Sequence, residues 1–486
     1  MDRKVSAVID TATPAVYGLL VNGQWIAGTG PRVAVRDKYK LQPCATLTTA
    51  DAAQVRQAVD VAHAAFRQGA PVAYERGVVL DRAAQLLEAR SEEFARAMQL
   101  EAGFTQSDAM GEVRRCLQTL RLSAEEARRL AGDVIPLAGA PGAAGRLGFT
   151  LRVPLGVVAA ITPFNSPLNT VTHKVAPAFA AGNAVILKPS SFTPITACLL
   201  AEVLLDAGLP KGFLSVLHGS AEVVQALQAD ERVRFFAFTG STEVGRKIQQ
   251  AAGLRRTQME LGSIACTIVC DDAKLDAALP KIVNAGYRKA GQVCTSVQLL
   301  LVHESLLAEV ETRLGQMVKE LVCGDPQDSK TFVGPVISED NAIRIEAWIN
   351  EAMAAGAKRL AGGPRQGAVV PPTLLSNISD SMKVGCNEIF GPVVCIVPFK
   401  TLAQAIARVN ATPFGLATGL FTNRLGDALA AAQQLEVGGV HINETSSSRV
   451  DLMPYGGSKD SGFGREGPHY AVHEMTEERI VTFTTV

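Results

Sequence analysis

The stretch Gly291–Gln292–Val293–Cys294–Thr295–Ser296 sets a cysteine among small and polar neighbours, between an expected helix and an expected strand. A cysteine acts as a nucleophile through its thiolate, so it needs access and a route to ionisation. Read singly, a cysteine is more often a buried, inert filler, and that reading fits most of the other eight. Upstream, Glu260–Leu261–Gly262–Ser263 offers a carboxylate at a strand-to-loop boundary, a candidate general base for water. A solvated or ion-paired glutamate is the ordinary alternative. Thr162–Pro163–Phe164–Asn165–Ser166–Pro167 follows an apolar run, and the Asn165 amide is a candidate donor to an oxyanion. Its plainer local reading is a turn residue between two prolines.

A second group of residues suits a phosphate and a ribose. In Phe238–Thr239–Gly240–Ser241–Thr242–Glu243–Val244–Gly245 a strand runs into a helix, whose free N–H groups and positive dipole end attract a phosphate. This glycine pattern is not the GxGxxG dinucleotide fingerprint. Leu187–Lys188–Pro189–Ser190 ends another strand, where Lys188 is either a ribose ligand or a solvated lysine.

The elements that must position these residues are legible from periodicity. Val21–Trp25 reads as a hairpin turning on Asn22–Gly23. Apolar residues recur at helical spacing over Asp51–Phe66, with Asp51 as N-cap, and again over Tyr74–Gly103 and Ser107–Leu130. Gly132–Gly148 loses that periodicity and reads as a protruding hairpin before the strand Phe149–Val153. From Gly156 strands and helices alternate: strands at Val157–Ile161, Ala184–Leu187 and Phe235–Phe238, and helices after Pro167 and over Pro194–Ala207. A second set follows, with strands Cys266–Val269 and Val297–Val302 and helices Leu275–Ala290 and Ser305–Leu321. Alternation of this kind implies βαβ units and parallel sheets covered on both faces.

With 486 residues the chain exceeds one hydrophobic core, which stops growing at roughly 250–300 residues, so two or more domains are expected. Lys+Arg and Asp+Glu both number 47, and that balance argues against nucleic acid or an acidic membrane as partner. No targeting segment and no run of about 18 apolar residues is visible. Nine scattered cysteines point to a reducing, cytoplasmic setting rather than a disulfide framework. Cys266-x₃-Cys270 lacks a second pair, so no metal site is expected.

Taken in order, Asn165, Lys188, Gly240–Gly245, Glu260, Cys294 and Glu388–Ile389–Phe390–Gly391–Pro392 resemble the motif series of the aldehyde dehydrogenase superfamily. The resemblance runs from the Asn22–Gly23 hairpin to Tyr455–Gly456–Gly457 and the tail Lys459–Glu466. It implies an α/β fold: a Rossmann-like cofactor domain (1–130 and 149–258), an α/β catalytic domain (259–455) and a small β oligomerisation arm (131–148 and 470–486). It implies NAD or NADP as cofactor, an aldehyde substrate, and a homodimer or homotetramer. Cys294 would be the nucleophile, Glu260 the base for the deacylating water, and Asn165 with the Cys294 N–H the oxyanion donors. Lys188 and Glu388 would hold ribose hydroxyls, Gly240, Ser241 and Gly245 would form the pyrophosphate turn, Phe390 would pack near the nicotinamide ribose, and Phe164 would be a further cofactor contact.

Two departures from the family pattern matter. Ser263 stands where a glycine is usual beside the base. Ser191 stands where many NAD-preferring members carry a glutamate, so NADP⁺ is not repelled. Within the family the chain is most similar to lactaldehyde- and phosphonoacetaldehyde-type dehydrogenases. That likeness places Arg115, Ser166, His173, Thr445 and Arg449 around the aldehyde tunnel, where arginines suit a phosphonate or carboxylate. Arg115 beside Arg114 also reads as a solvated helix residue, and Val293 before the nucleophile argues against a tight phosphate site. A CoA-acylating enzyme and a non-catalytic binding protein remain the alternatives. Retention of Glu260, Asn165 and Cys294 favours hydrolytic catalysis.

Overall fold

The computed structural model describes residues 15–484. Its first sheet has eight strands, in the order Gly462–Phe463, Arg256–Glu260, Val233–Thr239, Val157–Ile161, Ala184–Lys188, Leu214–Val216, Leu19–Val21 and Gln24–Ile26. The central five run parallel, and Gly462–Phe463 at one edge and the hairpin Leu19–Val21/Gln24–Ile26 at the other pair antiparallel with their neighbours. Val157–Ile161 is buried at every position, as a strand covered by helices on both faces must be. From it the chain steps one way to Ala184–Lys188 and Leu214–Val216, then crosses back to Val233–Thr239 on the other side. The C-terminal ends of strands at such a reversal leave a crevice, the usual ligand position in open α/β sheets.

The second sheet has seven strands around Leu299–His303 and Cys266–Val269, all parallel except the edge strand Lys358–Ala361. Each sheet has its own apolar core. The expected second boundary falls slightly later than residue 258, because Met259 and Glu260 still pair with Phe238 and Thr239. Among the described residues no helix is long and apolar enough to cross a membrane.

Local chemistry accounts for most elements. Asn22 and Gly23 take φ of 52° and 71°, as a two-residue hairpin turn of mirror-image type requires. Asp51 caps Ala52–Gln68, accepting from Gln54 N at 2.8 Å, while the Gln54 side chain accepts from Asp51 N. The helix expected over 74–103 is two, Ala73–Ala89 and Ser91–Ala102. The chain bends at Arg90, whose guanidinium is held by Glu93 and Glu202. The helix expected to reach Ala290 stops at Tyr287, because Lys289 and Ala290 are left-handed with φ of 52°.

The hairpin 132–148 is present as Val134–Ile135 paired with the start of Arg146–Pro154, on which Thr476–Thr484 forms a long antiparallel ladder. This three-stranded arm exposes Val134, Leu147, Ile480 and Phe483. It begins later at the C-terminus than expected. Residues 470–475 belong to the Pro468–Glu474 helix and its end, and Ala471, Val472 and Met475 are fully buried against the first sheet's helical layer.

One buried side chain joins these parts. Asn183 accepts from Gly156 N at 2.9 Å and donates to Met475 O at 2.9 Å, tying the start of two central strands to the root of the arm. Asn183→Ala leaves both backbone groups without partners, at a cost of about 1–3 kcal/mol. A lower urea midpoint with an unchanged slope is expected, and an unchanged midpoint would refute this role.

Candidate functional site

The reversal crevice is a cleft of about 540 Å³, well inside the ~300–1,000 Å³ range of ligand pockets. Phe164, Asn165, Lys188, Ser191, Gly240, Ser241, Cys294, Glu388 and Phe390 all line it. Gly245 does not. It sits in the helix Thr242–Ala252, where an added Cβ would lie 2.3 Å from the Leu261 side chain, so it lets helix and strand approach.

The crevice floor suits a dinucleotide. Ser241 caps Thr242–Ala252, accepting from Val244 N at 3.4 Å, and the helix's first N–H groups open toward the cleft. Gly240 N donates to Glu260 O at 3.0 Å, which fixes that turn to the next strand. Lys188 ends its strand with no hydrogen-bond partner for Nζ among the described residues, and burial brings its pKa down to about 8. Across from it, Glu388 accepts from Ser263 N at 2.8 Å, and burial pushes its carboxyl up to about 7. Gly262 is needed there, since a Cβ would lie 2.8 Å from Glu388 Oε2. Ser263 thus contributes through its backbone to Glu388. Phe164 and Phe390 meet edge to face at 5.7 Å, and Phe390 holds a left-handed φ of 49°. Ser191 lies beside Gly219, with Oγ 3.4 Å from its carbonyl, and no acidic side chain lines that end.

Cys294 is half-buried on the loop before Leu299–His303, at the N-terminal edge of the second sheet. Its Sγ lies 2.9 Å from the Tyr455 hydroxyl. Burial pushes the thiol up to about 11, only partly offset by Tyr455 and Arg449. Asn165 lines the same cleft. Its carboxamide has no hydrogen-bond partner among the described residues, while its backbone O accepts from Lys289 Nζ at 3.3 Å.

Glu260 ends its strand 3% exposed, with neither carboxylate oxygen hydrogen-bonded among the described residues. Burial, then the nearby Glu466, hold its pKa well above the usual carboxylate range. Glu466 is ionised, because Lys174 at 3.0 Å and Arg449 at 2.9 Å both pair with it. Arg449 also stacks on Tyr455, 3.7 Å from the ring centroid.

The expected tunnel residues are brought together, but with partners the sequence did not disclose. Arg115 is forked onto Asp451, with Nη2–Oδ1 at 2.6 Å and Nε–Oδ2 at 3.3 Å. His173 is wholly buried, and its Nε2 lies 2.8 Å from Asp451 Oδ1. Ser166 donates to Glu112. Thr445 is buried and caps Ser447 N at 3.3 Å. Sequence reasoning missed Asp451, Glu466, Lys174, Glu112, Lys289 and Tyr455, each of which acts through a contact distant in the chain. It also missed Arg288, whose guanidinium bonds Ser447 Oγ at 2.7 Å and forms no ion pair among the described residues. Arg288 is half-buried, and nothing in the sequence marked it, since its exposure and its partner are both set by the fold.

The profile of the aldehyde dehydrogenase family matches residues 25–481. The chain is 47% identical over 466 residues to a 3-sulfolactaldehyde dehydrogenase of Priestia aryabhattai, covering 96% of this chain and 97% of that one. It is 35% identical to a lactaldehyde dehydrogenase of Methanococcus maripaludis, over 96% and 100% of the two chains. Among solved structures it resembles aldehyde dehydrogenase 21 of Physcomitrella patens in complex with succinate, with a TM-score of 0.94, 38% identity, and coverage of 97% and 99%.

The buried thiol leads to a direct test. With a pKa near 11, only about one Cys294 in a thousand is a thiolate at pH 8. Alkylation of Cys294 by iodoacetamide, followed on its peptide by mass spectrometry, should accelerate about tenfold per pH unit from 7 to 9. A plateau below pH 8 would show an already ionised thiol.

Proposed function

The chain belongs to the aldehyde dehydrogenase family, and from that premise we propose that it oxidises a short, hydroxylated aldehyde carrying an anionic group to the carboxylic acid. The observation that carries the reading is the convergence of Cys294, Asn165 and the Lys188–Ser241–Glu388 crevice in one cleft. NAD or NADP would be held there by Lys188 and Glu388 at a ribose, by the Ser241 turn at the pyrophosphate and by Phe164 and Phe390 at the nicotinamide end. Bound, it supplies the hydride acceptor. Ser191, neutral at the adenosine end, accommodates either cofactor. The first sheet is read as the cofactor domain, the second as the catalytic domain, and the exposed apolar arm as the surface on which copies assemble as a homodimer or homotetramer.

The chain's own residues then act in sequence. The Cys294 thiol gives up its proton to solvent, the thiolate sulfur adds to the aldehyde carbon, and Asn165 Nδ2 with the Cys294 N–H donate to the oxyanion. Loss of hydride from that carbon leaves a thioester on Cys294. Glu260 takes a proton from water, which attacks the thioester and releases the acid and the thiol. Burial and Glu466 favour the neutral carboxyl, so Glu260 must first ionise, and once ionised, with no hydrogen bond to stabilise it among the described residues, it is a strong proton acceptor; its retention supports hydrolysis over transfer to CoA.

The substrate class is supported by the 47% identity to a 3-sulfolactaldehyde dehydrogenase and by three arginines near the nucleophile. Arg115 and Arg449 are paired with Asp451 and Glu466, whereas Arg288 bonds a hydroxyl and makes no ion pair among the described residues, with Asp108 and Glu112 nearby. His173 acts through Asp451. Ser166 and Thr445 shape the same wall.

A panel of 3-sulfolactaldehyde, lactaldehyde and propanal with NAD⁺ and NADP⁺, read by absorbance of the reduced cofactor, tests this. A charge-assisted contact worth ~1.5–3 kcal/mol gives the anionic aldehyde about one to two decades in kcat/KM over propanal. Cys294→Ala should abolish turnover of all three. Equal rates for sulfolactaldehyde and propanal would sink the anionic assignment, and turnover by Cys294→Ala would sink the mechanism.

Glu260→Gln should slow thioester hydrolysis more than its formation. A burst of reduced cofactor followed by a slow steady state is expected. Loss of the burst as well would place Glu260 at the earlier step.

A further inference from the structure

On one stripe of the helix Gln106–Arg129, Asp108, Glu112, Arg115 and Thr119 follow each other at spacings that share a face. Each reaches a different part of the site: Asp108 the chain before Cys294, Glu112 the Asn165 loop, Arg115 the 449–451 loop, and Thr119 Asn169 of the next helix. Glu112 is the centre of this set. Its Oε1 accepts from Asn169 N at 2.9 Å and from the Ser166 hydroxyl, and its Oε2 accepts from Lys289 Nζ at 2.7 Å. Both partners of the ion pair are almost wholly buried, with side chains 1% and 7% exposed.

Lys289 closes the circuit. Its Nζ also donates to Asn165 O at 3.3 Å and lies 4.5 Å over the Phe104 ring, while its own N donates to Asp108 Oδ2 at 3.1 Å. Lys289 and Ala290 are left-handed, φ 52° each, and Gly291 follows at 67°. Side chains with a Cβ hold that conformation only where surrounding contacts impose it. At Gly291 a Cβ would lie 2.1 Å from Gly391 O, so the chain there has one path.

We propose that the buried Glu112–Lys289 pair is the positioning device that sets the spacing between the Asn165 amide and the Cys294 backbone, and so the rate of the first covalent step. The pair touches neither aldehyde nor cofactor. It clamps the two loops that carry the oxyanion donors, from a helix that belongs to neither loop. A misplacement of about 1 Å in such a pair of donors is enough to cost about two decades in rate. The proposal rests on the reading of Cys294 as nucleophile and Asn165 as donor.

The test is single-turnover oxidation with the full-length enzyme in saturating excess over aldehyde, following reduced cofactor. Glu112→Gln and Lys289→Met should each lower the rate constant about 10- to 100-fold. Conversion of the aldehyde should stay complete, and binding of the reduced cofactor, measured by fluorescence, should be unchanged. Lys289→Arg should recover part of the loss. The double variant should be less impaired than the two losses combined, because neither charge is then buried alone. A merely structural role would lower the fraction of active enzyme and leave this rate constant alone. Should Lys289→Met fail to fold, Glu112→Gln, which is isosteric, and Lys289→Arg decide the matter. Wild-type rate constants in both would overturn the proposal by itself. Cofactor reduction persisting in Cys294→Ala would instead overturn the nucleophile reading and the proposal with it.

Discussion

Between Glu260 and Cys266 the chain leaves the C-terminal edge of one sheet and enters the N-terminal edge of the other. The passage is too short to wander, and it is fastened on both sides. Leu261 N donates to Ser461 O at 3.1 Å, the Ser461 hydroxyl donates to Gly262 O at 2.7 Å, and Ser263 N donates to Glu388. Cys294 and Glu388 precede strands of the second sheet, whereas Lys188, Asn165 and Ser241 follow strands of the first. The seam therefore brings two sets of loops, each rooted in a rigid sheet, to a single cleft. A loosening at 261–265 would move every one of these groups relative to the others.

Charge is arranged around the seam with the same economy. Glu466 holds Lys174 and Arg449, Asp451 holds Arg115 and His173, and Glu112 holds Lys289. Taking such groups out of water is costly, and their mutual attraction offsets that cost only with close geometry and further hydrogen bonds. Glu112 and Asp451 have those extra bonds, to Ser166 and Asn169. Glu260 is the exception: fully buried, near Glu466, and with no donor to either oxygen. Its partnered neighbours Glu466, Asp451 and Glu112 keep their charges, whereas burial favours the neutral form of Glu260. Among the described residues Lys188 and Arg288 are the cations of the cleft without a carboxylate partner, Arg288 being bound to the Ser447 hydroxyl.

The local elements were legible because their causes are local. A left-handed Asn22–Gly23 pair, a capping Asp51 and an all-apolar Val157–Ile161 act over a few residues, and the chain's alternation dictates a parallel sheet. The bend at Arg90 and the early end of the helix at Tyr287 were not legible. Arg90 is held by Glu202 from a distant helix, and Lys289 is pinned by Glu112. Both outcomes depend on side chains more than a hundred residues away.

The same division runs through the site. The order of Asn165, Lys188, Gly240–Ser241, Glu260, Cys294 and Glu388 along the chain was enough to identify the family and to nominate the cleft, because Lys188 and Glu260 end strands and the others lie on loops next to strands, most of which periodicity reveals. What only the tertiary structure decided is the electrostatic state of those residues. Arg115 and Arg449 look in sequence like two free cations, and folding hands each a carboxylate. Cys294 looks like an accessible thiol, and burial beside Tyr455 keeps it protonated. Periodicity is written in neighbours three or four residues apart, whereas solvation and ion pairing depend on which distant atoms finally share a few ångströms of low-dielectric space.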